Sequence, residues 1–324
     1  MTIGPSSDRD RLPEGEASTL IFALAAAPSF QVGKTGQAFA GYGGGIKQTE
    51  DGGLSWEVVP LGPLLKDPLP VFSLALSPAY DRDGLLFAGT KGGILWSSPH
   101  GREWRIALLP SPPPSVSALA VSPNFPNDGT LFAGTMEDGV FVSQNAGSQW
   151  VTWNFGLLDL NVLVLAISPD FSDDETLYAG TETGLFRSTN GGRAWREIEL
   201  EFGYDAILSA AISPHFAEDR RLYIGSENHG LWVSTDGGEQ WTRVGEQQIS
   251  DPVNSILISG NDLLAATAGG LWRLAGGDSH CANGLPEELQ SLEVSTVLAP
   301  NGISPGSSLL VGFTDGSIHS VAAR

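Results

Sequence analysis

The sequence has little cysteine, little methionine and no long apolar run. Cys281 is the only cysteine in 324 residues, so no disulfide can form within the chain. A membrane-spanning helix needs about 20 consecutive apolar residues, and no segment approaches that length. The first residues, MTIGPSSDRDRLPEGEAST, are polar and acidic, whereas a secretory signal is basic and then apolar. We therefore expect a cytoplasmic protein, or a secreted one whose signal was removed.

Basic residues are also scarce. The chain has 17 Lys and Arg against 37 Asp and Glu, a net charge of −20. Such a surface repels nucleic-acid phosphates and anionic lipids, so we expect neither nucleic-acid binding nor membrane insertion. The acidic segments Asp81–Asp83 and Asp173–Glu175 raise the possibility of calcium. Their spacing matches no ordered ligand loop, so we expect solvated turns, no metal site and no cofactor.

A turn of the form Ser-x-Asp-x-Gly-x-x-Trp recurs along the chain. The clearest copy is STDGGEQW, from Ser234 to Trp241. Five copies end at tryptophans separated by steps of 48, 46, 45 and 46 residues, namely Trp56, Trp104, Trp150, Trp195 and Trp241. A period this regular indicates an array of one supersecondary unit. The 41 glycines and 21 prolines suit many short strands joined by tight turns.

Each unit contains four short strand-like segments. An apolar run closed by proline, such as LAISP (165–169), precedes a polar turn and a second run, such as LYAGT (177–181). Seven such second runs can be counted, from AFAGY (38–42) to LLVGF (309–313). The sequence therefore predicts an all-β fold, a seven-bladed β-propeller of four-stranded antiparallel blades.

The two ends of the repeat array are irregular. We expect residues 18–324 to form a single propeller domain, and residues 1–17 to supply the outer strand that the last blade lacks. In the sixth unit, residues 274–290 stand where the recurring turn and the fourth strand should be. We expect a loop or a short helix there.

The recurring turn has a structural explanation. The side chains of Asp51, Asn145, Asn190 and Asp236 can accept hydrogen bonds from backbone N–H groups ahead of them. The following glycines permit positive φ, and the tryptophan then begins the outer strand with a large apolar surface to bury. No reactive group is left over, so we expect these residues to be scaffold.

These turns resemble the Asp-box, or BNR, repeat. That repeat occurs in sialidases, sortilin-type receptors, xyloglucanase-type glycosidases and photosystem II assembly-factor propellers. Residues 168–195, SPDFSDDETLYAGTETGLFRSTNGGRAW, are similar to the repeat in uncharacterised bacterial members. The resemblance covers residues 20 to 245 strongly and the rest weakly. It implies the fold and no single activity.

Strand alternation places the recurring turns on one face of the ring. The second-to-third turns and the crossings between blades lie on the opposite face, which we call the mouth face. The mouth-face turns carry the candidate binding residues Glu137, Asp138, Glu182, Glu227, His229 and Asp315. The crossings add the large apolar candidates Trp153, Phe155, Phe202 and Tyr204.

Two classes of function remain open on the sequence alone. A sialidase needs arginines to hold the substrate carboxylate, and the mouth-face turns contain none. Another glycoside hydrolase, or a glycan-binding protein, could use a pair of mouth-face carboxylates, although nothing marks a pair. We favour a non-catalytic scaffold that binds a protein or peptide through the mouth-face loops. We expect it to be a monomer or one component of a hetero-complex.

Overall fold

Twenty-seven short strands form seven antiparallel sheets in the computed structural model, which describes residues 19–61, 69–107, 109, 112–245, 249, 252–274 and 281–323. Four one-turn helices and a single 3-10 turn complete the regular structure of that part of the chain.

Blade 1 comprises β1 (Ile21–Ala26), β2 (Ala38–Tyr42), β3 (Gly45–Thr49) and β4 (Glu57–Val58). Blade 2 comprises β5 (Val71–Leu76), α1 (Tyr80–Asp83), β6 (Leu86–Thr90), β7 (Gly93–Ser97) and β8 (Trp104–Ile106). Blade 3 comprises β9 (Ser115–Val121), α2 (Phe125–Asp128), β10 (Leu131–Met136), β11 (Gly139–Ser143) and β12 (Val151–Thr152). Blade 4 comprises β13 (Val162–Ile167), α3 (Phe171–Asp174), β14 (Leu177–Thr181), β15 (Leu185–Ser188) and β16 (Arg196–Ile198).

Blade 5 comprises β17 (Ile207–Ile212), α4 (Phe216–Asp219), β18 (Leu222–Ser226), β19 (Leu231–Ser234) and β20 (Thr242–Val244). Blade 6 comprises β21 (Val253–Ser259), β22 (Asp262–Thr267), β23 (Gly270–Leu274) and β24 (Cys281–Asn283), followed by a 3-10 turn at Glu287–Leu289. Blade 7 comprises β25 (Val294–Leu298), β26 (Ser308–Phe313) and β27 (Ile318–Ala322).

The blades close into a ring. Each first strand lies against the first strand of the next blade, and β25 lies against β1. Leu310 of blade 7 packs with Phe30, Val32 and Ala38 of blade 1, so the closing interface has its own apolar core. The predicted seven-bladed β-propeller is confirmed. The outer strand expected from residues 1–17 lies outside the described residues.

Blade 6 differs from its prediction. Residues 281–283 pair with β23 as a fourth strand, through Trp272–Asn283, Arg273–Ala282 and Leu274–Cys281. The expectation of only a loop or short helix was therefore wrong for the fourth strand. The 3-10 turn at Glu287–Leu289 follows the strand and does not replace it. An antiparallel strand satisfies the backbone groups along the β23 edge even without the recurring turn.

In blades 2 to 5, a short helix occupies the first-to-second connection that the sequence predicts as a polar turn. In each helix the first residue is a buried aromatic whose ring meets the ring of a second-strand aromatic in the preceding blade, edge to face. The four pairs are Phe39–Tyr80, Phe87–Phe125, Phe132–Phe171 and Tyr178–Phe216. The helices therefore join neighbouring blades as well as connecting strands.

A glycine in six of the seven second strands, all but that of blade 6, allows close approach of the next blade. A Cβ atom on Gly180 would lie 2.8 Å from the carbonyl oxygen of Ile207, and one on Gly41 would lie 2.6 Å from that of Val71. The recurring Ala-Gly-Thr sequence of the second strands therefore reflects packing between blades.

The recurring turns, which we call box turns, form a repeated hydrogen-bond pattern. In the fifth blade, Ser234 Oγ donates to Asp236 Oδ1 at 2.7 Å, and the backbone N–H groups of Glu239 and Gln240 donate to the same oxygen at 3.0 Å. These bonds, led by that from Gln240, lower the pKa of Asp236. Trp241, at the end of the turn, is 4% exposed.

Candidate functional site

The two faces of the ring are distinguished by their hydrogen bonds. Box turns meet the one-turn helices, as where Gly191 N–H donates to Glu175 O at 2.9 Å. On the opposite, mouth face, second-to-third turns meet crossings between blades. Examples are Glu182 N–H to Asn161 O at 3.2 Å and Glu227 N–H to Ala206 O at 2.9 Å.

The predicted mouth-face polar residues fall into two groups. Glu137 and Asp138 lie between β10 and β11, Glu182 lies between β14 and β15, and Glu227 and His229 lie between β18 and β19. These turns belong to three consecutive blades, and the four carboxylates are exposed. Asp315 lies on blade 7, with blade 6 between it and the others. Ser317 donates to Asp315 through its side chain and its backbone N–H, and these bonds lower the pKa of Asp315.

The predicted apolar residues Trp153 and Phe155, in the crossing between blades 3 and 4, have different surroundings. Trp153 is half-buried against the core shared by blades 3 and 4, and its carbonyl accepts a 2.8 Å hydrogen bond from Trp195 Nε1. The Phe155 carbonyl accepts a bond from Trp195 N–H, also at 2.8 Å, while the Phe155 side chain is 80% exposed. Trp153 therefore belongs mainly to the core, and Phe155 is available to a partner.

A cavity of about 380 Å³ lies at the outer rim of blade 4. Its lining combines apolar side chains with two carboxylates and includes no lysine or arginine. The lining residues are Thr183, Gly184, Glu197, Ile198, Glu199, Leu200, Gly203 and Tyr204. Asp159, from the crossing before blade 4, accepts hydrogen bonds from the backbone N–H and hydroxyl of Thr183 at 3.0 and 2.9 Å. The crossing after blade 4 therefore supplies Gly203 and Tyr204 to the lining, and the crossing before it holds the lining residue Thr183.

The crossing between blades 4 and 5 ends at the buried carboxylate of Asp205, which the sequence analysis did not identify. Asp205 accepts bonds from Asn228 N–H, Asn228 Nδ2 and His229 Nδ1 at 2.9, 2.8 and 2.9 Å. Burial opposes ionisation of Asp205, but these hydrogen bonds outweigh it and hold its pKa below the usual range. Phe202 stacks on the His229 ring with 4.8 Å between centroids. A signal was available, because Asp159 precedes Asp205 by one repeat of 46 residues.

The central channel is lined by all seven first strands and encloses about 290 Å³. Each first strand has a β-bulge near its mouth end, and the extra residue of each bulge lines the channel. These residues are Phe22, Phe72, Ser117, Leu163, Leu208, Asn254 and Ser295. Phe22 and Phe72 meet edge to face at 5.2 Å. The bulges therefore fill the channel mouth mainly with side chains of the protein itself.

A larger depression of about 590 Å³ lies between blades 2 and 3 on the box-turn face. Its polar groups already hold the local turns. Asp83 accepts from Ser77 Oγ at 2.6 Å, Asp128 accepts from Ser122 Oγ at 2.6 Å, and Asn145 accepts from Gln149 N–H at 2.9 Å. These side chains have a structural explanation, whereas the exposed side chains of Phe155, Leu158 and Tyr204 on the crossings beside blade 4 belong to no core cluster of the described residues.

Metal-ligand clusters and membrane-length helices are both absent from the described part of the chain. Within it, no group of three or more His, Cys, Asp or Glu side chains is arranged to hold a metal ion. Among the same residues, no helix has the length and apolar character needed to cross a membrane.

The sequence matches no protein-family model and no curated protein, but solved structures share the fold. An ancestral GH74 enzyme has a TM-score of 0.73 and 18% identity over 94% of this chain and 45% of its own. The extracellular domain of a putative one-component system from B. thetaiotaomicron has a TM-score of 0.69 and 18% identity, over 96% and 39%. YCF48 bound to D1 peptide has a TM-score of 0.65 and 15% identity, over 95% of both chains.

The chain therefore spans less than half of the first two structures and nearly all of the third. At these identities the likeness shows the fold alone, and the chain has a β-propeller fold.

Proposed function

We propose that this protein is a non-catalytic scaffold that binds a protein segment of mixed basic and apolar character at the mouth face around blade 4. The observation that carries the proposal is the exposure of Phe155, Leu158 and Tyr204, at 80%, 78% and 81%, on the two crossings that flank blade 4. Tyr204 also lines the cavity that contains Glu197 and Glu199. We call Phe155, Leu158, Leu160 and Tyr204 the blade-4 apolar patch.

The apolar patch is a concentration of exposed surface. Eight large apolar side chains of the described residues are exposed, and four of them lie on the two crossings that flank blade 4. Removing such surface from water contributes about 25 cal/mol per Å². Exposed apolar groups clustered at one place are typical of a binding surface, whereas scattered ones are ordinary.

The charge of the site selects the partner. Glu197 and Glu199 line the cavity, and Glu137, Asp138, Glu182 and Glu227 lie on the turns of blades 3 to 5. The whole chain carries a net charge of −20, which adds a long-range attraction for cations. A segment bearing arginine or lysine beside apolar residues complements both properties, and electrostatic attraction accelerates its association.

The predicted site residues take different roles in this proposal. Phe155 and Tyr204 supply apolar contact area, Phe202 supports His229, and Trp153 stabilises the crossing from within. Asp315, on blade 7, lies outside the blade-4 surface. A propeller of similar length, YCF48, is described in complex with a D1 peptide, which supports peptide binding as a use of this fold.

A glycoside hydrolase is the alternative, favoured by the likeness to a GH74 enzyme. A general acid in such an enzyme needs a raised carboxyl pKa. Within the described part of the chain, the resolved carboxyl pKa shifts are all downward, at Asp51, Asp159, Asp205, Asp236 and Asp315. These five carboxylates accept hydrogen bonds that hold turns.

We also propose that the box turns are Asp-box turns of the BNR type, on the hydrogen-bond pattern of Ser234, Asp236 and Trp241. The proposal includes residues 18–324 as one propeller domain, with residues 1–17 supplying the fourth strand of blade 7. We propose further that the protein is cytoplasmic and that it acts as a monomer or as one component of a hetero-complex.

The direct test is selection of binding peptides from a displayed random library against the wild-type protein. The counter-selection target is a variant with Phe155→Ser, Leu158→Ser and Tyr204→Ser. We expect the enriched sequences to combine basic and apolar residues. Enrichment of acidic sequences, or of sequences that bind both proteins, would contradict the proposal. Turnover of aryl glycosides or polysaccharides that is abolished by Glu137→Gln or Glu182→Gln would support the alternative.

A further inference from the structure

The turn between β18 and β19 carries a histidine whose orientation is fixed from two sides. Asp205, only 8% exposed, lies 2.9 Å from His229 Nδ1. An ionised carboxylate only accepts hydrogen bonds, so Nδ1 bears the hydrogen. In the neutral imidazole, Nε2 is then the acceptor. The His229 side chain is 40% exposed, so the ring is accessible from solvent.

Aromatic packing fixes the plane of the same ring. Phe202 lies nearly parallel to His229, with 4.8 Å between centroids and 16° between planes. Trp232 packs against Phe202 with 4.9 Å between ring centroids, and its Nε1 donates to the His229 carbonyl at 2.9 Å. The imidazole is therefore preorganised, and a ligand that uses it need not order it.

Blade 4 shows that holding this turn does not require a histidine. Asp159 occupies the equivalent crossing and binds the backbone N–H and hydroxyl of Thr183. Asp205 binds the backbone N–H and side chain of Asn228 in the same manner. The bond between Asp205 and His229 is additional to the Asn228 bonds that hold the turn. Blade 5 therefore orients an imidazole that the scaffold does not need.

We propose that His229 Nε2 accepts a hydrogen bond from an arginine side chain of the bound segment. This inference rests on the proposed function and specifies its partner chemistry. A guanidinium supplies N–H donors in one plane, and that plane can stack on an exposed aromatic ring such as Tyr204. Glu201 precedes Phe202 and Glu227 lies two residues before His229 in the sequence; both are exposed, and their charges favour a cation over a neutral donor.

Histidine NMR on the ¹⁵N-labelled protein tests the inference. The probes are N-acetylarginine methylamide and its neutral isostere N-acetylcitrulline methylamide, and His229→Gln assigns the His229 resonance. Asp205→Asn is the test variant, because an asparagine amide can donate to Nδ1 and shift the proton to Nε2. Asp159→Asn is its matched control on blade 4. Unchanged signals from the other histidines verify that each variant is folded.

We expect the neutral His229 ring to carry its proton on Nδ1 and to respond to the arginine probe severalfold more than to the citrulline probe. The response should disappear in Asp205→Asn and persist in Asp159→Asn. A proton on Nε2 in the wild type, equal responses to both probes, or an unchanged response in Asp205→Asn would overturn the inference.

Binding of a selected arginine-containing peptide separates the two proposals. His229→Gln should weaken it by about tenfold. A peptide that requires the apolar patch but binds wild type and His229→Gln equally would overturn this inference and leave the proposed function intact. Absence of any mouth-face peptide would instead contradict the proposed function.

Discussion

The indole nitrogen of Trp195 donates a 2.8 Å hydrogen bond to the backbone carbonyl of Trp153, which lies in the crossing that leads to blade 4. Trp241 occupies the equivalent position in blade 5, but its Nε1 is buried without a hydrogen-bond partner among the described residues. The side chains of these two equivalent tryptophans therefore differ in the hydrogen bond of the indole nitrogen.

Replacing each tryptophan with phenylalanine measures how much the indole hydrogen bond of Trp195 contributes to the free energy of unfolding. Both substitutions remove similar volume, but only Trp195→Phe leaves a partner carbonyl unpaired, whereas Trp241→Phe removes an unpaired donor. We expect Trp195→Phe to lower the free energy of unfolding by about 1–3 kcal/mol more than Trp241→Phe does. Equilibrium urea unfolding measures both values. Equal losses, or a larger loss for Trp241→Phe, would contradict this assignment.

Because neighbouring blades approach closely at Gly180, an added methyl group there should lower the free energy of unfolding. Gly180→Ala places a Cβ 2.7 Å from Val164 Cγ1 and 2.8 Å from Ile207 O, and the backbone carbonyl cannot rotate away. We expect a loss of about 1–3 kcal/mol in the free energy of unfolding. Gly184→Ala is the control in the same blade, because no atom lies within 4 Å of the position that its methyl group would take. Comparable losses for the two variants would refute the packing explanation.

The hydrogen bonds of Asp205 predict a pH dependence of stability. Its folded-state pKa is lowered, because bonds from His229 and Asn228 outweigh the effect of burial. The stabilisation is therefore fully present above the unfolded-state pKa, about 3.9, and is lost as the pH falls through the lower folded-state value. Urea unfolding of wild type and Asp205→Asn from about pH 2.5 to 7 should show a difference that shrinks at the acid end. A difference that grows on acidification would be inconsistent with this account.

Charge complementarity predicts a salt dependence of peptide binding. Raising the ionic strength shortens the screening length from about 10 Å at 0.1 M to about 3 Å at 1 M. We expect the affinity of a selected basic peptide to fall over this range, and to fall less steeply for Glu197→Gln combined with Glu199→Gln. Titration calorimetry at several salt concentrations measures both slopes. Identical slopes would show that these carboxylates do not attract the partner.

The sequence predicts the fold well because the fold is repetitive. A step of about 46 residues between tryptophans, with seven Ala-Gly-Thr-like strands, is sufficient to number the blades. The fourth strand of blade 6 was not predicted, because Cys281–Asn283 lacks the tryptophan and the box turn that mark the other copies. Its pairing depends on the β23 edge, which is a tertiary property.

The candidate site was predicted less completely. Turn order placed Glu182 and His229 on the mouth face, but exposure and burial depend on packing that no local pattern records. Trp153 and Phe155 are two residues apart, yet one is largely in the core and the other is 80% exposed. Asp205 was missed because its partner Asn228 lies 23 residues away and is brought close only by the blade.

The affinity of a selected peptide for two matched triple variants tests the central claim most directly. One variant replaces Phe155, Leu158 and Tyr204 of the apolar patch with serine. The other replaces Leu54, Val58 and Ile106, which are 70%, 61% and 50% exposed on blades 1 and 2. We predict that the patch variant binds at least about tenfold more weakly and that the control binds as the wild type does. Unchanged binding by the patch variant, or equal losses in both, would contradict the claim.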